Sequence, residues 1–262
     1  MHKKLIQAAL RPLGYYLRST KHFGDGYWQD LVTLMAKQHS GAKVMFDVGA
    51  HHGETLAAAK EKLPLATIHC FEPDPESFEI LRSCAAGFQT VRLHPMALGA
   101  APGRAEFHRN SESMTNSLLP TSTASLVGDY AELTLTKEVI VVPIETLDAI
   151  CAREEIHWID LLKTDCQGYD LMVLQGGRGM IASHRIGLIT CEVIFDQEYD
   201  GQGRFHELLG FLDAHGYIFM GFYNMARNRQ NECTFCDAIF SRPSQTADSK
   251  DAPFPKHESG AA

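Results

Sequence analysis

Between residues 43 and 241, short apolar runs alternate with helix-period stretches, and this alternation constrains the fold more than any other feature of the chain. Apolar runs too short for buried helices, each followed by a turn and an amphipathic segment, mark parallel strands joined by crossover helices. The first run, Val44-Met45-Phe46-Asp47-Val48, ends at Gly49 and leads into a helix-forming stretch over 54–63 that Pro64 terminates. The next strand covers 67–72. Asp74 then reads as a helix N-cap with Pro75 at the first helical position, the helix runs to about 85, and Gly87 lies past its end. A third strand falls at 90–94, and 105–108 with 139–142 read as further short strands around an irregular connection. Residues 159–165 form a fourth core strand, a helix runs from near Tyr169 to Gly176-Gly177, and 186–192 is strand five. Phe205, Leu208, Leu209 and Leu212 recur at i, i+3, i+4 and i+7 before Gly216, and 217–222 with 237–241 close the sheet as a hairpin. The fold class is α/β.

Composition sets the outer limits. With 262 residues and 45% hydrophobic content the chain fills one substantial core without a second domain. Residues 1–40 are expected to form a helical cap, 41–242 the globular domain, and 243–262, poor in apolar residues, a disordered tail. Residues 1–21 carry Leu and Ile at helical spacing among Lys3, Lys4, Arg11, Arg18 and Lys21, a basic amphipathic pattern compatible with weak peripheral membrane contact. A formal charge of −8 argues against a nucleic-acid partner held by broad phosphate contacts. No apolar stretch has the length of a membrane span and the start lacks a signal-peptide pattern, so a cytoplasmic location is expected. The seven cysteines are odd in number and mostly embedded in apolar segments, as reduced core thiols are. Cys233 and Cys236 form a lone CxxC without the further ligands that structural zinc needs, so no metal site is assigned.

Three motifs carry chemistry. Asp47-Val48-Gly49-Ala50-His51-His52-Gly53 sits where a strand hands over to a helix, and its glycines let backbone N–H groups approach a ligand. The dinucleotide fingerprint would need glycine at His51 and Glu54, whereas glycines four apart suit a looser turn around the amino-acid end of S-adenosylmethionine. Asp47, inside an apolar strand, needs a partner, either the ligand's ammonium or the turn's own N–H groups. Phe71-Glu72-Pro73-Asp74 puts a carboxylate at the end of strand two, where an acid accepts both ribose hydroxyls of an adenosine. Strand alternation points Lys163 and Asp165 to one side of a buried strand, either as a structural ion pair or, the favoured reading, towards the crevice beyond the strand ends. A desolvated lysine there is expected to hold a lowered pKa and act as base. Glu192 ends the neighbouring strand as a second carboxylate, and His51 or His52 is another candidate base. The Ser/Thr-rich stretch 110–125 reads as a lid or substrate loop, or as an idle surface loop.

Taken in order, Phe46-Asp47-Val48-Gly49-Ala50 with Gly53, Phe71-Glu72-Pro73, Ala97-Leu98-Gly99, Thr146-Leu147-Asp148 and the block 159–168 resemble the FkbM family of methyltransferases. The resemblance implies a Rossmann-like class I fold with a seven-stranded, mostly parallel sheet, helices on both faces and a C-terminal antiparallel hairpin. It implies S-adenosylmethionine as methyl donor and, as acceptor, a hydroxyl on a sugar, glycan or small natural-product-like molecule. It assigns Asp47, Gly49, Ala50, Gly53 and Glu72 to the donor, Ala97 to the wall near the adenine, and Asp165 to the neighbourhood of the transferred methyl. The chain departs from the family pattern at Gln167, where an acid is usual, and at His51 and His52, where smaller or non-histidine residues are common. Two rival readings remain at this level: a nicotinamide-dependent oxidoreductase, and a non-catalytic partner protein that kept the fold.

Overall fold

The computed structural model of the chain describes residues 24, 26–38, 43–125 and 131–243. The basic N-terminal pattern of 1–21 and all of the expected tail except Pro243 lie outside them. The described elements begin with α1 (Tyr27–Gln38), β1 (Val44–Val48), α2 (Glu54–Lys62), β2 (Thr67–Phe71), α3 (Pro75–Cys84), β3 (Val91–His94) and β4 (Ala97–Leu98). They continue with β5 (Gly103–Asn110), β6 (Thr136–Glu145), α4 (Leu147–Arg153), β7 (Ile159–Thr164), α5 (Asp170–Gly176) and α6 (Arg178–Ala182). The last are β8 (Ile186–Ile194), α7 (Phe205–Ala214), β9 (Ile218–Tyr223) and β10 (Phe235–Ser241).

Seven strands form one sheet in the order β3-β2-β1-β7-β8-β10-β9. β1, β2, β3, β7 and β8 pair in parallel, and β10 runs antiparallel to both of its neighbours. The chain winds outward from β1 to β3 and returns to place β7 on the other side of β1. The carboxyl ends of β1 and β7 therefore flank the topological switch point, where open α/β sheets form a crevice.

Period-two alternation sorts the strand residues into two cores. Phe46, Val48, Leu162 and Ile189 face the layer that buries Leu147, Ile150, Leu174 and Leu208. Met45, Leu161, Leu188 and Ile239 face the other layer with Leu31, Leu34 and Met35 of α1 and Leu56 of α2. The helix within 1–40 is thus part of the core. No helix among the described residues is long and apolar enough to cross a membrane.

Local signals place the helices. Asp74 caps α3 by accepting from Ser77 N at 3.0 Å, with Pro75 in the first turn. Thr146 caps α4 by accepting from Ala149 N at 3.2 Å.

The sequence reading is corrected at the second sheet. The stretches 105–108 and 139–142 belong to the longer β5 and β6, an antiparallel pair that joins β4 in a separate three-stranded sheet. Its polar ends, such as Arg109 opposite Glu138, carry no apolar alternation, so periodicity stops short of them although pairing does not.

Candidate functional site

The turn after β1 is fixed by backbone contacts. Gly49 and Ala50 N–H groups both donate to Phe71 O, each at 3.0 Å, which ties the turn to the end of β2. Gly49 has φ +74°, and a Cβ added there would lie 1.9 Å from Asp165 O, so the turn closes onto the exit of β7 with no room for a side chain. Gly53, at φ +95°, starts α2, and its missing Cβ leaves room for Cys84 and Leu81 of α3. Gly53 therefore serves packing and does not line the cavity described below.

Glu72 follows β2 and is 5% exposed. Its Oε2 accepts His51 N at 2.9 Å and its Oε1 accepts Asp74 N at 2.8 Å. Burial pushes the carboxyl up to about 7, partly offset by those two N–H groups. A hydroxyl donor arriving at this carboxylate would favour its ionised form.

Parallel pairing of β1 with β7 sets Asp47 directly opposite Lys163, so the two side chains share a face. Lys163 Nζ lies 3.1 Å from Asp47 Oδ1 and 3.4 Å from Asp165 Oδ2, and it donates to Gly49 O at 3.2 Å. Asp47 is fully buried and is not among the residues lining the cavity; its partner is Lys163 rather than the N–H groups of the turn. Burial alone would lower the lysine pKa, but the carboxylates of Asp47 and Asp165 outweigh it and hold the group well above its ordinary value. The expected lowered pKa is thus overturned, because Lys163 is caged by two opposite charges instead of being merely desolvated.

Asp165 and Glu192 divide one environment between them. Burial raises Asp165, yet Lys163, Glu192 and Gln167 together bring it below the usual carboxylate range. Glu192 is pushed well up by burial and then by Asp165 and Asp170, so it retains its proton beside the Asp165 carboxylate. Gln167 Nε2 donates to Glu192 Oε2 at 2.8 Å and to Asp165 Oδ1 at 3.2 Å. Tyr199 OH lies 3.0 Å from Gln167 Oε1 and 2.8 Å from Thr115 O, which locks the amide orientation. An amide suits this position because it donates to both carboxyl groups, where a carboxylate would set a further negative charge beside Asp165.

His51 has φ +46°, sets its Nε2 2.8 Å from Ser113 Oγ, and stacks on His52 with ring centroids 3.6 Å apart. Burial, followed by His52, lowers its pKa, which keeps the ring neutral.

These residues meet in one cavity of about 530 Å³, within the range of small-molecule sites. Gly49, Ala50, His51, Glu72 and Ala97 line one side, and Lys163, Asp165, Gln167 and Glu192 the other. The stretch 110–125 belongs to the site: Ser113, Met114, Thr115, Asn116 and Leu118 also line the cavity.

The sequence reading missed Glu198. It lines the cavity at 9% exposure, and no described residue donates a hydrogen bond to its carboxyl, which burial and then Asp196 push up to about 7. Its backbone is pinned, N–H to Gln202 Oε1 at 2.9 Å and C=O from Ser122 N at 2.8 Å. Its position in the loop leaving the carboxyl end of β8 was the available signal. Cys233 and Cys236 are free, one half-buried before β10 and the other buried within it.

Residues 47–219 match the model of the FkbM methyltransferase domain. The chain is 26% identical over 190 residues to the 2-O-methyltransferase NoeI of Sinorhizobium fredii, covering 71% of this chain and 76% of that protein. It is 29% identical over 195 residues to the 31-O-demethyl-FK506 methyltransferase FkbM of Streptomyces tacrolimicus, covering 66% and 72%. The solved structure of a precorrin-6y C5,15-methyltransferase from Geobacter metallireducens aligns over 87% of this chain and 94% of its own, at 14% identity and a TM-score of 0.42. The domain match spans most of the chain and sets aside both the nicotinamide and the non-catalytic readings. The chain belongs to the FkbM family and is a methyltransferase.

Proposed function

We propose that the protein transfers the methyl group of S-adenosylmethionine to a hydroxyl of a sugar, a glycan or a small natural-product-like acceptor. The observation that carries this reading is that the buried Glu72 carboxyl and the group Asp165, Glu192 and Glu198 line a single cavity. The residues fit an adenosyl ligand: Glu72 is a desolvated acceptor suited to two ribose hydroxyls, and the small Gly49, Ala50 and Ala97 leave that wall open. The donor, when bound, supplies an electrophilic methyl on a positively charged sulfur. Asp165, kept ionised by Lys163, provides the negative charge that favours a sulfonium in this half of the cavity.

On this reading Lys163 positions Asp165 and stays protonated. Glu198 would take the acceptor's hydroxyl proton, since no described residue donates to its carboxyl, which titrates near neutrality. The carboxyl-rich wall disfavours anionic acceptors and suits a neutral polyol. The O-methyltransferase relatives are consistent with a hydroxyl acceptor.

Two measurements test the reading. Calorimetric titration of the full chain with S-adenosylmethionine is expected to give micromolar binding, and absence of binding at millimolar donor overturns it. With an acceptor found by screening neutral glycans and hydroxyl compounds for S-adenosylhomocysteine release, activity should rise through about pH 7 as Glu198 ionises. Glu198→Gln should lower kcat by about 10²-fold or more and flatten that rise while donor affinity stays unchanged.

A further inference from the structure

The side chains of His51 and His52 have no part in the reaction just outlined. We propose that His51, His52 and Glu54 form a site for a borderline divalent transition ion of the zinc, cobalt or nickel class at the rim of the cavity. Each residue offers one ligand atom, and these atoms all lie within 4.8 Å of one another. Both Nδ1 atoms converge on the same carboxylate oxygen: Glu54 Oε1 is 3.5 Å from His51 Nδ1 and 4.0 Å from His52 Nδ1. In a tetrahedral zinc site with bonds near 2.0–2.1 Å, neighbouring ligand atoms are about 3.3 Å apart. The His51–Glu54 edge is close to that spacing. Lone pairs of stacked rings run nearly parallel, so the partly exposed His52 ring must turn out of its stack on His51 for both Nδ1 atoms to face one ion.

Ser113 supplies an outer support. With His51 Nε2–H donating to Ser113 Oγ at 2.8 Å, Nδ1 presents its lone pair on the Glu54 side, the arrangement that orients metal-bound imidazoles. Two imidazoles and one carboxylate select against magnesium and calcium, which prefer all-oxygen shells. The positive end of α2 opposes a cation at this point, so the full charge of Glu54 in its first turn is required to offset a partial one. Three protein ligands leave at least one coordination position open, and His51 and Glu54 both line the cavity, so that position faces its contents.

The test uses the tag-free full chain stripped with chelator, titrated with Zn²⁺ by calorimetry and with Co²⁺ by visible absorption. Binding near one equivalent is expected in the micromolar range or tighter, with no competition from excess Mg²⁺. His52→Ala and Glu54→Gln should each weaken it about tenfold or more, whereas a Cys233→Ser/Cys236→Ser double variant should not. Both ligand substitutions fall on partly or largely exposed side chains, and metal-free melting curves verify the fold. Absence of Zn²⁺ and Co²⁺ binding to the parent chain, or binding that survives both ligand variants, overturns the site. Either result is independent of S-adenosylmethionine binding and leaves the proposed reaction to its own test.

Discussion

The two walls of the cavity are made of different material. The wall at the ends of β1 and β2 is mainly backbone: a glycine turn bonded to Phe71 O, small residues, and one carboxylate whose oxygens are held by main-chain N–H groups. The wall at the ends of β7 and β8 is side chain, a buried cation among carboxyl groups with a glutamine amide spanning two of them. Each wall is built from segments some twenty residues apart, His51 with Glu72 across 21 and Gln167 with Glu192 across 25, and Lys163 ties one wall to the other by reaching Gly49 across 114. A backbone wall tolerates side-chain change as long as its turn can form; a wall of buried charges fails when any one partner is lost.

The largest expected effect is on the charged wall. Lys163→Met strands Asp47 and Asp165, and should cost about 3–5 kcal/mol of stability, read from urea unfolding. A loss below about 1 kcal/mol would mean that the wall is not held by charge and would erase the contrast. On the backbone wall, Glu72→Ala should weaken S-adenosylmethionine binding by about 100-fold, since hydrogen bonds to a charged acceptor contribute about 1.5–3 kcal/mol each. Calorimetry reads this, and a change under threefold would move the ribose elsewhere.

The smallest effect lies behind the backbone wall. His69 of β2 stacks on Phe46 and sits 3.1 Å from His94 Nε2 through its Nδ1. Burial, then His94, lowers its pKa from 6.5 to about 4. The folded chain therefore binds fewer protons than the unfolded chain between these values. The contribution to stability is complete above pH 6.5 and is lost as pH falls through about 4. His69→Phe should flatten the fall in Tm across that window, and an unchanged slope would assign the acid sensitivity to other groups.

Much of this was legible in the residues. Strand β1, the Gly49 turn and helix α2 announce themselves because apolar period, glycine and helix start fall within one short stretch. Glu72 is legible for the same reason, one strand further on. The pairing of Lys163 with Asp165 follows from alternation along one strand, but its consequence does not. Whether burial or the carboxylates control the lysine depends on Asp47, which only sheet register brings opposite it. Glu198 and Tyr199 carry no motif, and the polar ends of β5 and β6 carry no period.

By itself, then, the amino-acid order determined the α/β architecture and the glycine-turn wall with Glu72, because periodicity and turn chemistry act between near neighbours and are written locally. The charge balance of Lys163, Asp165 and Glu192, the hydrogen bonds of Gln167 and the place of Glu198 in the cavity were decided only by tertiary structure. The physical reason is that a buried charge answers to burial and to whichever charges lie within a few ångströms, and distant segments supply most of those.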